Sequence, residues 1–342
     1  MHYRFTLLAL LLCAAGAAAA APQHAVSYKI TRTVPLGAPD GWDYLYFEPQ
    51  SHRVYVAHGT EITVVDGHSG QIVGRVTGIG GVNGVVALPQ WHKGYTDSRG
   101  KQAAVAFDLG SFAVTREIPA DADTDAIVYE PVTQRVFVMD GDAQNTTVID
   151  ALQDKSVASI PLQGQPEFAV ADGAGHVFVN ITDKREIVRI DARSARVEAR
   201  WPIPACERPH GLAIDRTAHR LFASCVNGVL LVVSADDGHV VASLPIGKGT
   251  DAAAFDPKRR LVFSSNGEGT LSVIRARSPD QYVALGDIAT KPLARTMTLD
   301  PQSGRVYLVT ADVDEINPQA QRLRERYRIR PGSVQLLFLD PM

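Results

Sequence analysis

RVYVAHG, at residues 53–59, is a segment that recurs along this 342-residue chain. Its variants are RVFVMDG (135–141), HVFVNIT (176–182), RLFASCV (220–226), RLVFSSN (260–266) and RVYLVTA (305–311). Short runs of β-branched and aromatic residues favour β-strands. Each copy follows an apolar run that ends in a turn, such as YLYFEPQ or AIVYEPV, and most precede a run such as ITVVD or TTVID. Each repeat therefore contains several short strands in succession.

The repeats have a regular spacing. Asp66, Asp108, Asp150 and Asp191 mark a period of about 42 residues, and a fourth strand often follows the aspartate, as in QIVGRV (71–76). Four short strands in each repeat of this length are typical of a β-propeller blade. We predict an all-β, seven-bladed β-propeller of four-stranded blades. The predicted blades cover about 41–80, 81–120, 121–163, 164–205, 206–247, 248–290 and 291–342.

The seventh repeat lacks a fourth strand after LFLDPM at its end. The segment SYKITRTVPLG (27–37) has strand-like alternation and precedes the first blade. We expect it to pair as the outer strand of the last blade, which would close the ring and remove an exposed sheet edge. Residues 22–342 would then form a single propeller domain.

The first 21 residues predict export. MHYRFTLLALLLCAAGAAAA has one cation, Arg4, an apolar run and then a tract of alanines. This order predicts a cleaved secretory signal peptide over residues 1–21, because the apolar run is too short to span a bilayer. The remaining chain has no transmembrane segment by this criterion and is expected to be periplasmic or secreted. Its net charge, −3 for the whole sequence and −4 without Arg4, is too small to indicate a polyanion-binding protein by itself.

The RVYVA and RVFVM strands, the blade length and the signal peptide resemble those of the secreted YVTN-repeat, YncE-like β-propellers. The resemblance covers essentially the whole chain after residue 21, and the repeats do not share the Trp-Asp dipeptide of WD40 repeats, which occurs once, at Trp42–Asp43. It implies a propeller fold and little about function, since propellers serve as binding proteins, scaffolds, hydrolases and lyases.

A column of polar residues begins the first strand of each predicted blade, five residues before the residue that opens the following turn. Because first strands line the channel of a propeller, these side chains should meet at one channel mouth. They form a candidate site for a cation, an amine or a hydroxyl-rich molecule, or else the polar lining of a water-filled channel. The column is Asp43, Asn83, Asp125, Glu167, His210, Asp251 and Arg295. The turn residues, expected to be structural, are Glu48, Leu88, Glu130, Asp172, Asp215, Asp256 and Asp300.

Two functions are compatible with this column. The first is a monomeric, non-enzymatic binding module for a small molecule or an envelope protein. The second is a metal-dependent hydrolase, lactonase or lyase, in which Arg295 stabilises an oxyanion and His210 is a ligand or general base. Carboxylates suit Ca²⁺, and carboxylates together with imidazole suit Zn²⁺. The candidate metal ligands are Asp125, Glu167, His210 and Asp251, with Asp43 as a further carboxylate. The sequence contains no G-x-S-x-G, H-E-x-x-H or P-loop motif.

Cys206 and Cys225 flank the histidine of the fifth blade. Folding the hairpin about Arg216–Ala218 brings Cys225 opposite His210 or Gly211, close to Cys206. Two cysteines this close in an oxidising compartment predict a disulfide. A zinc site would need more sulfur or histidine ligands at short spacing.

The seventh repeat also carries an insertion, DVDEINPQAQRLRERYRIRPGS (312–333), on the face of the polar column. Alternating arginines would form an anion-binding strip if the segment were extended, with single-stranded nucleic acid or an anionic glycan as the partner. The alternatives are a helix, or arginines that pair with the channel carboxylates. The five arginines are Arg322, Arg324, Arg326, Arg328 and Arg330. A second loop is expected on this face at 95–102.

Overall fold

The computed structural model describes residues 26–320 and 322–342. The predicted signal peptide lies outside the described residues. The described chain forms seven four-stranded antiparallel blades, and the first strand of each blade packs against those of its neighbours around a ring. The predicted fold class is therefore confirmed. Within the described ranges, no helix is long and apolar enough to cross a bilayer.

Strand β1 (Tyr28–Gly37) belongs to the last blade and is described with it below. The first blade contains β2 (Leu45–Glu48), β3 (Arg53–His58), β4 (Glu61–Asp66) and β5 (Ile72–Val76). The second contains β6 (Val85–Leu88), β7 (Lys93–Ser98), β8 (Ala103–Asp108) and β9 (Val114–Pro119), with short 3₁₀ turns at Pro89–Trp91 and Arg99–Lys101. The third contains β10 (Thr124–Glu130), β11 (Arg135–Asp140), β12 (Asn145–Asp150) and β13 (Lys155–Pro161).

The next three blades repeat this order. The fourth contains β14 (Pro166–Ala171), β15 (His176–Ile181), β16 (Glu186–Asp191) and β17 (Arg196–Pro202). The fifth contains β18 (Pro209–Asp215), β19 (Arg220–Cys225), β20 (Val229–Ser234) and β21 (Val240–Pro245). The sixth contains β22 (Thr250–Asp256), β23 (Leu261–Asn266), β24 (Thr270–Ser278) and β25 (Gln281–Ala289).

The seventh blade is closed by the amino-terminal strand, as predicted. It contains β26 (Thr296–Leu299), β27 (Val306–Thr310) and β30 (Val334–Pro341), with β1 as its outer strand. Strand β1 pairs antiparallel with β30 in a register that places Val34 opposite Leu336. Between β27 and β30 the insertion forms a small hairpin of β28 (Val313–Glu315) and β29 (Tyr327–Ile329), with one helical turn, α1 (Leu323–Arg326), before β29.

The core lies between the blades. The two middle strands of a blade are covered on both faces by neighbouring blades, so their buried residues run continuously instead of alternating. In β3, Val54, Tyr55, Val56 and Ala57 are all fully buried. Outer strands such as β13 alternate between exposed and partly buried positions, because only one face packs inward. This difference explains why the second strands form the most recognisable part of the repeat.

The turn residues have the predicted structural role. Glu48 accepts hydrogen bonds from the backbone N–H groups of Gln50 (2.8 Å) and Ser51 (2.6 Å). The corresponding carboxylates of the third to seventh blades accept comparable bonds from their turns. Leu88 has no acceptor, and a 3₁₀ turn follows it. Turn geometry thus accounts for this second acidic column.

The prediction of a loop at 95–102, in the second blade, is wrong for the first half of its length. Residues 93–98 are strand β7, so Tyr95 and Asp97 are buried strand residues and only 99–102 form a loop. The polar Thr-Asp-Ser run suggested a loop, but the side chains of Thr96 and Asp97 are hydrogen-bonded within the blade. The Thr96 hydroxyl donates to the Gly84 carbonyl at 2.7 Å, and Asp97 Oδ1 accepts from the backbone N–H groups of Asn83 (2.9 Å) and Gly84 (2.7 Å).

Candidate binding site at the channel mouth

Four members of the polar column lie in β-bulges of the first strands. The pairing of β10, β14, β18 and β22 with their neighbours slips at the column position, as between Pro209 and Leu212. A bulge leaves a residue outside the ladder and re-aims its side chain. The residues in these bulges are Asp125, Glu167, His210 and Asp251. The side chains of the last three then meet across three blades.

The bulge in the fifth blade also shifts the expected cysteine register. Cys225 lies opposite Pro209, one residue earlier than the hairpin count predicted. The predicted disulfide is present between Cys206 and Cys225, with Cα atoms 5.3 Å apart. It ties the loop before His210 to the end of β19.

Polar side chains at the ends of second strands support the first strands. Asn180 Nδ2 donates to the carbonyls of His210 (2.8 Å) and Gly211 (3.2 Å) in the next blade. The Ser265 hydroxyl likewise donates to the Arg295 carbonyl. The sequence reasoning missed these residues. The available signal was a polar residue interrupting an apolar strand, as in HVFVNIT and RLVFSSN.

His210 is clamped between two carboxylates. Its Nδ1 lies 2.8 Å from Asp251 Oδ1 and 3.4 Å from Glu167 Oε1. Burial works to lower the pKa of His210, but Glu167 and Asp251 outweigh it and raise that pKa to about 10. The side chain is therefore an imidazolium at neutral pH. Its Nε2 is buried and has no hydrogen-bond partner among the described residues.

Arg295 completes this cluster. Its Nε lies 3.2 Å from Asp251 Oδ2. Burial opposes ionisation of Asp251, yet Arg295 and His210 hold the pKa of this carboxyl below its usual value. The proximity of Asp251 in turn raises the pKa of Arg295. Asp251 is therefore an ionised carboxylate that two cations neutralise.

The surroundings of Asp43 and Asp125 differ from those of Asp251. Within the described ranges, neither carboxylate makes a hydrogen bond or an ion pair with another side chain. Burial raises the pKa of both well above the usual value, Asp251 raises that of Asp43 further, and Glu167 raises that of Asp125 further. Asn83 does not help, because its amide donates to the Thr124 carbonyl at 3.0 Å. The mouth thus contains four column carboxylates and two cations.

Tyr44 lies under the ring of column residues. Its hydroxyl donates to Glu167 Oε1 at 2.9 Å, and its ring packs edge-to-face against Phe168 with centroids 4.9 Å apart. Asp97 lies nearby in β7, and burial raises its pKa to about 7. Neither residue was in the predicted column. Tyr44 directly follows Asp43 in the sequence, and that adjacency is the signal that could have identified it.

A pocket of about 310 Å³ adjoins the column at Arg295. Apolar side chains form much of its wall, and Arg324 of the insertion reaches it. The lining residues are Asp40, Gly41, Trp42, Leu293, Arg295, Leu323, Arg324 and Ile329. Leu323 lies against Gly249 and Gly267, where an added Cβ would clash with its Cδ1. The insertion therefore covers one side of the channel mouth.

The arginines of the insertion do not form an extended strip, because α1 interrupts the alternation. Most of them also do not pair with the channel carboxylates. Arg326 pairs with Glu315 (2.6 Å), and Arg328 (3.6 Å) and Arg330 (2.7 Å) pair with Asp314. Arg322 is 3.8 Å from Glu325. Anion binding by this loop stays a prediction, and most of its charge is already balanced within the insertion.

The predicted metal ligands come together in part. Glu167, His210 and Asp251 can each offer a ligand atom within 4.8 Å of the others, and Asp125 is not in this group. A divalent ion there would replace the proton on His210 Nδ1, since only the neutral ring is a ligand. A second group, His176, Asp191 and Glu198, was not predicted. There His176 already contacts Asp172 at 2.6 Å and Arg189 at 3.0 Å.

The fold and the channel-mouth cluster define the chain as a seven-bladed β-propeller with a charged axial site. No protein-family model and no curated protein matches the sequence. Among solved structures, hydrazine synthase of Kuenenia stuttgartiensis is similar in fold, with a TM-score of 0.69 and 15% identity. The similarity covers 79% of this chain and 92% of that chain. At this identity the likeness shows the fold alone, so the YVTN-repeat resemblance stays a prediction.

Proposed function

We propose that this chain is an exported, non-enzymatic binding protein that takes a small organic cation at the channel mouth. The observation that carries the proposal is the pair of half-buried carboxyl groups on Asp43 and Asp125 beside Glu167, which form no hydrogen bond or ion pair with another side chain among the described residues. Uncompensated buried carboxylates are costly, and an ammonium group between them would remove that cost. Export is supported by the predicted signal peptide and by the disulfide, which persists in oxidising compartments.

The adjoining pocket supports an organic cation with an apolar part. Trp42 directly follows Gly41 at its edge, and Leu293, Leu323 and Ile329 add apolar surface. An ammonium group near Asp43 would leave its carbon skeleton beside this wall. Aromatic and aliphatic walls with few polar groups are typical of small-molecule sites. An envelope protein could use the same face by inserting a lysine side chain.

Calorimetry with 2-phenylethylamine and the neutral 2-phenylethanol tests the proposal. We expect the amine to bind at least tenfold more tightly, and Asp43→Asn with Asp125→Asn to remove this preference. Because both aspartates have raised pKa values, amine binding should also release protons, seen as buffer-dependent heats. Asp142→Asn, at an exposed loop position, is the matched control. Equal binding of amine and alcohol would contradict the proposal.

A metal-dependent hydrolase or lyase is the second candidate, favoured by the grouping of Glu167, His210 and Asp251. These residues would hold the ion, and Arg295 would lie beside it to stabilise negative charge. Elemental analysis of protein purified without chelator tests this candidate. A stoichiometric divalent metal that is lost on Glu167→Gln, with turnover of a lactone, would favour the enzyme. Absence of metal after exposure to Ca²⁺, Zn²⁺ and Mn²⁺ would eliminate it.

A further inference from the structure

A second cavity occupies the channel on the other side of Tyr44. It has a volume of about 350 Å³ and is lined by the first strands of the first five blades, from just beyond the polar column to the turns at their far ends. Its walls include Ala126, Val128, Ala169, Val170 and Ile214. Alanines at Ala126 and Ala169 leave this space where larger side chains would fill the axis. The small size of these two side chains therefore contributes to the volume of the cavity.

This cavity is separate from the charged ring. Tyr44 and Phe168 pack edge-to-face across the channel, and the Tyr44 hydroxyl is held by Glu167 at 2.9 Å. These two rings form the inner end of the cavity. The carboxylates of the polar column lie on their other side. A ligand in the cavity would contact apolar walls and would not reach the cationic site proposed above.

Arg216 marks the open end of the cavity. The residue that follows the turn residue is proline in five blades: Pro49, Pro89, Pro131, Pro257 and Pro301. The fourth blade has Gly173, and the fifth alone has a charged residue, Arg216. Its Nε and Nη2 donate to the Ala171 carbonyl of the fourth blade at 3.1 Å and 2.9 Å, which holds the guanidinium at the rim.

The guanidinium of Arg216 forms no ion pair within the described chain. The neighbouring carboxylate, Asp215, pairs with Arg260 at 2.8 Å and accepts hydrogen bonds from its own turn. No carboxylate lies within ion-pair distance of Arg216 among residues 26–320 and 322–342. The lining also includes two residues that carry hydroxyl groups, Tyr46 and Tyr129. An apolar cavity with one unpaired cation and few hydroxyls is the usual form of a site for a small amphiphile.

We propose that this cavity binds a small carboxylate with an apolar, preferably aromatic, body. The body would lie against Ala126, Ala169 and Ile214, and the carboxylate would pair with the free edge of Arg216. If each non-hydrogen atom takes about 30 Å³, as a water molecule does in the liquid, the volume suits a ligand of roughly a dozen such atoms. Water would gain few hydrogen bonds inside, so displacing it by an apolar group is favourable.

Calorimetry with 3-phenylpropionate and its amide, 3-phenylpropionamide, tests the proposal, because the two probes differ little except in charge. We expect the carboxylate to bind at least tenfold more tightly than the amide. Arg216→Gln should bring the two affinities within twofold of each other. Lys258→Gln, an exposed cation on the corresponding turn of the sixth blade, should leave the difference unchanged. Ala169→Leu should weaken both probes by filling the cavity.

Equal affinities in the wild type, or no binding of either probe at millimolar concentration, would overturn the proposal. So would a carboxylate preference that survives Arg216→Gln. If Ala169→Leu does not fold, the exposed Arg216 variant still decides the question. Asp43→Asn should leave binding of 3-phenylpropionate unchanged, since Asp43 lies beyond Tyr44. This comparison distinguishes a failure of the cavity proposal from a failure of the proposed cation site.

Discussion

The charge of His210 depends on its neighbours. Glu167 and Asp251 stabilise the imidazolium and raise its pKa to about 10. A general base at neutral pH must be unprotonated, and so must a metal ligand. Without a bound ion, His210 is thus neither, and it acts as a cation that holds two carboxylates together. Among the described residues, no cation lies within ion-pair distance of Asp43 or Asp125, which is why they are the proposed contacts for a ligand.

His210→Gln should lower the free energy of unfolding by about 3 kcal/mol, because removing one partner of a buried ion pair leaves the other uncompensated. Urea unfolding at pH 7 measures the loss. His219→Gln is the control, since His219 pairs with Asp236 on the surface and both side chains are more than half exposed. Equal effects of the two substitutions would contradict the buried role of His210.

Asp97 should make stability depend on pH. Burial raises its folded pKa to about 7, above the unfolded value of 3.8. Between about pH 4 and pH 7 the unfolded chain loses this proton while the folded chain keeps it, so the contribution of Asp97 to stability falls as pH rises and levels off above 7. Asp97→Asn removes this titration and can keep both backbone bonds to Oδ1.

Unfolding free energies at pH 4.5, 6 and 8 measure this effect. The Asp97→Asn variant should gain stability relative to wild type as pH increases. Asp142→Asn, at an exposed position, should run parallel to wild type. Parallel curves for Asp97→Asn as well would show that Asp97 ionises normally.

Strand β18 and the loop before it combine two constraints. The bulge after Pro209 re-aims His210, and the disulfide anchors Cys206 to Cys225 across a sequence separation of 19. Asn180 of the preceding blade bonds the carbonyls within the bulge. The element is therefore held from its own blade and from its neighbour.

Replacing both cysteines by alanine should lower the free energy of unfolding by about 3 kcal/mol, the chain-entropy value for a closed loop of this length. Amide hydrogen exchange should increase first at 203–208, next to the bulge. Denaturant unfolding with exchange mass spectrometry measures both quantities. A double variant with wild-type stability and protection would show that the disulfide does not order this loop.

At the scale of the whole molecule, the ring places its first strands around one axis. The seventh blade takes its outer strand from the amino terminus, and Val34 and Leu36 of β1 are buried with Leu336 and Phe338 of β30. Tyr28 of the same strand packs edge-to-face on Phe263 of the sixth blade at 5.3 Å. Closure thus links the two ends of the described chain, and it keeps the axial residues of seven blades in a fixed arrangement.

A chain that begins at residue 38 should lose about 5 kcal/mol or more of stability, since it exposes the buried side chains of β1 and their partners. It should also self-associate through the free edge of β30. Thermal unfolding and sedimentation measure these effects, with a chain that begins at residue 26 as the control. A monomeric truncated protein of unchanged melting temperature would show that closure is dispensable.

The sequence alone was sufficient for the architecture. Middle strands buried on both faces, as in RVYVA and RVFVM, require continuous apolar runs, and tight turns require acidic residues such as Glu48 and Asp300. Both requirements are local and recur in most blades, so they produce a periodic pattern in the sequence. The column from Asp43 to Arg295 follows from the same period. The pairing of Cys206 with Cys225 was also accessible, because both lie in one hairpin.

Only the tertiary structure decided how the column residues interact. Whether His210 is a cation or a base depends on Glu167 and Asp251, which lie 43 and 41 residues away in sequence and meet it only through bulges in three separate blades. The partners of Arg326 and Arg330 depend on a hairpin that brings Asp314 and Glu315 beside them. The apolar cavity near Arg216 exists because strands from five blades converge on one axis. Ionisation and cavity volume are set by distances between strands, and a linear pattern of residues does not specify those distances.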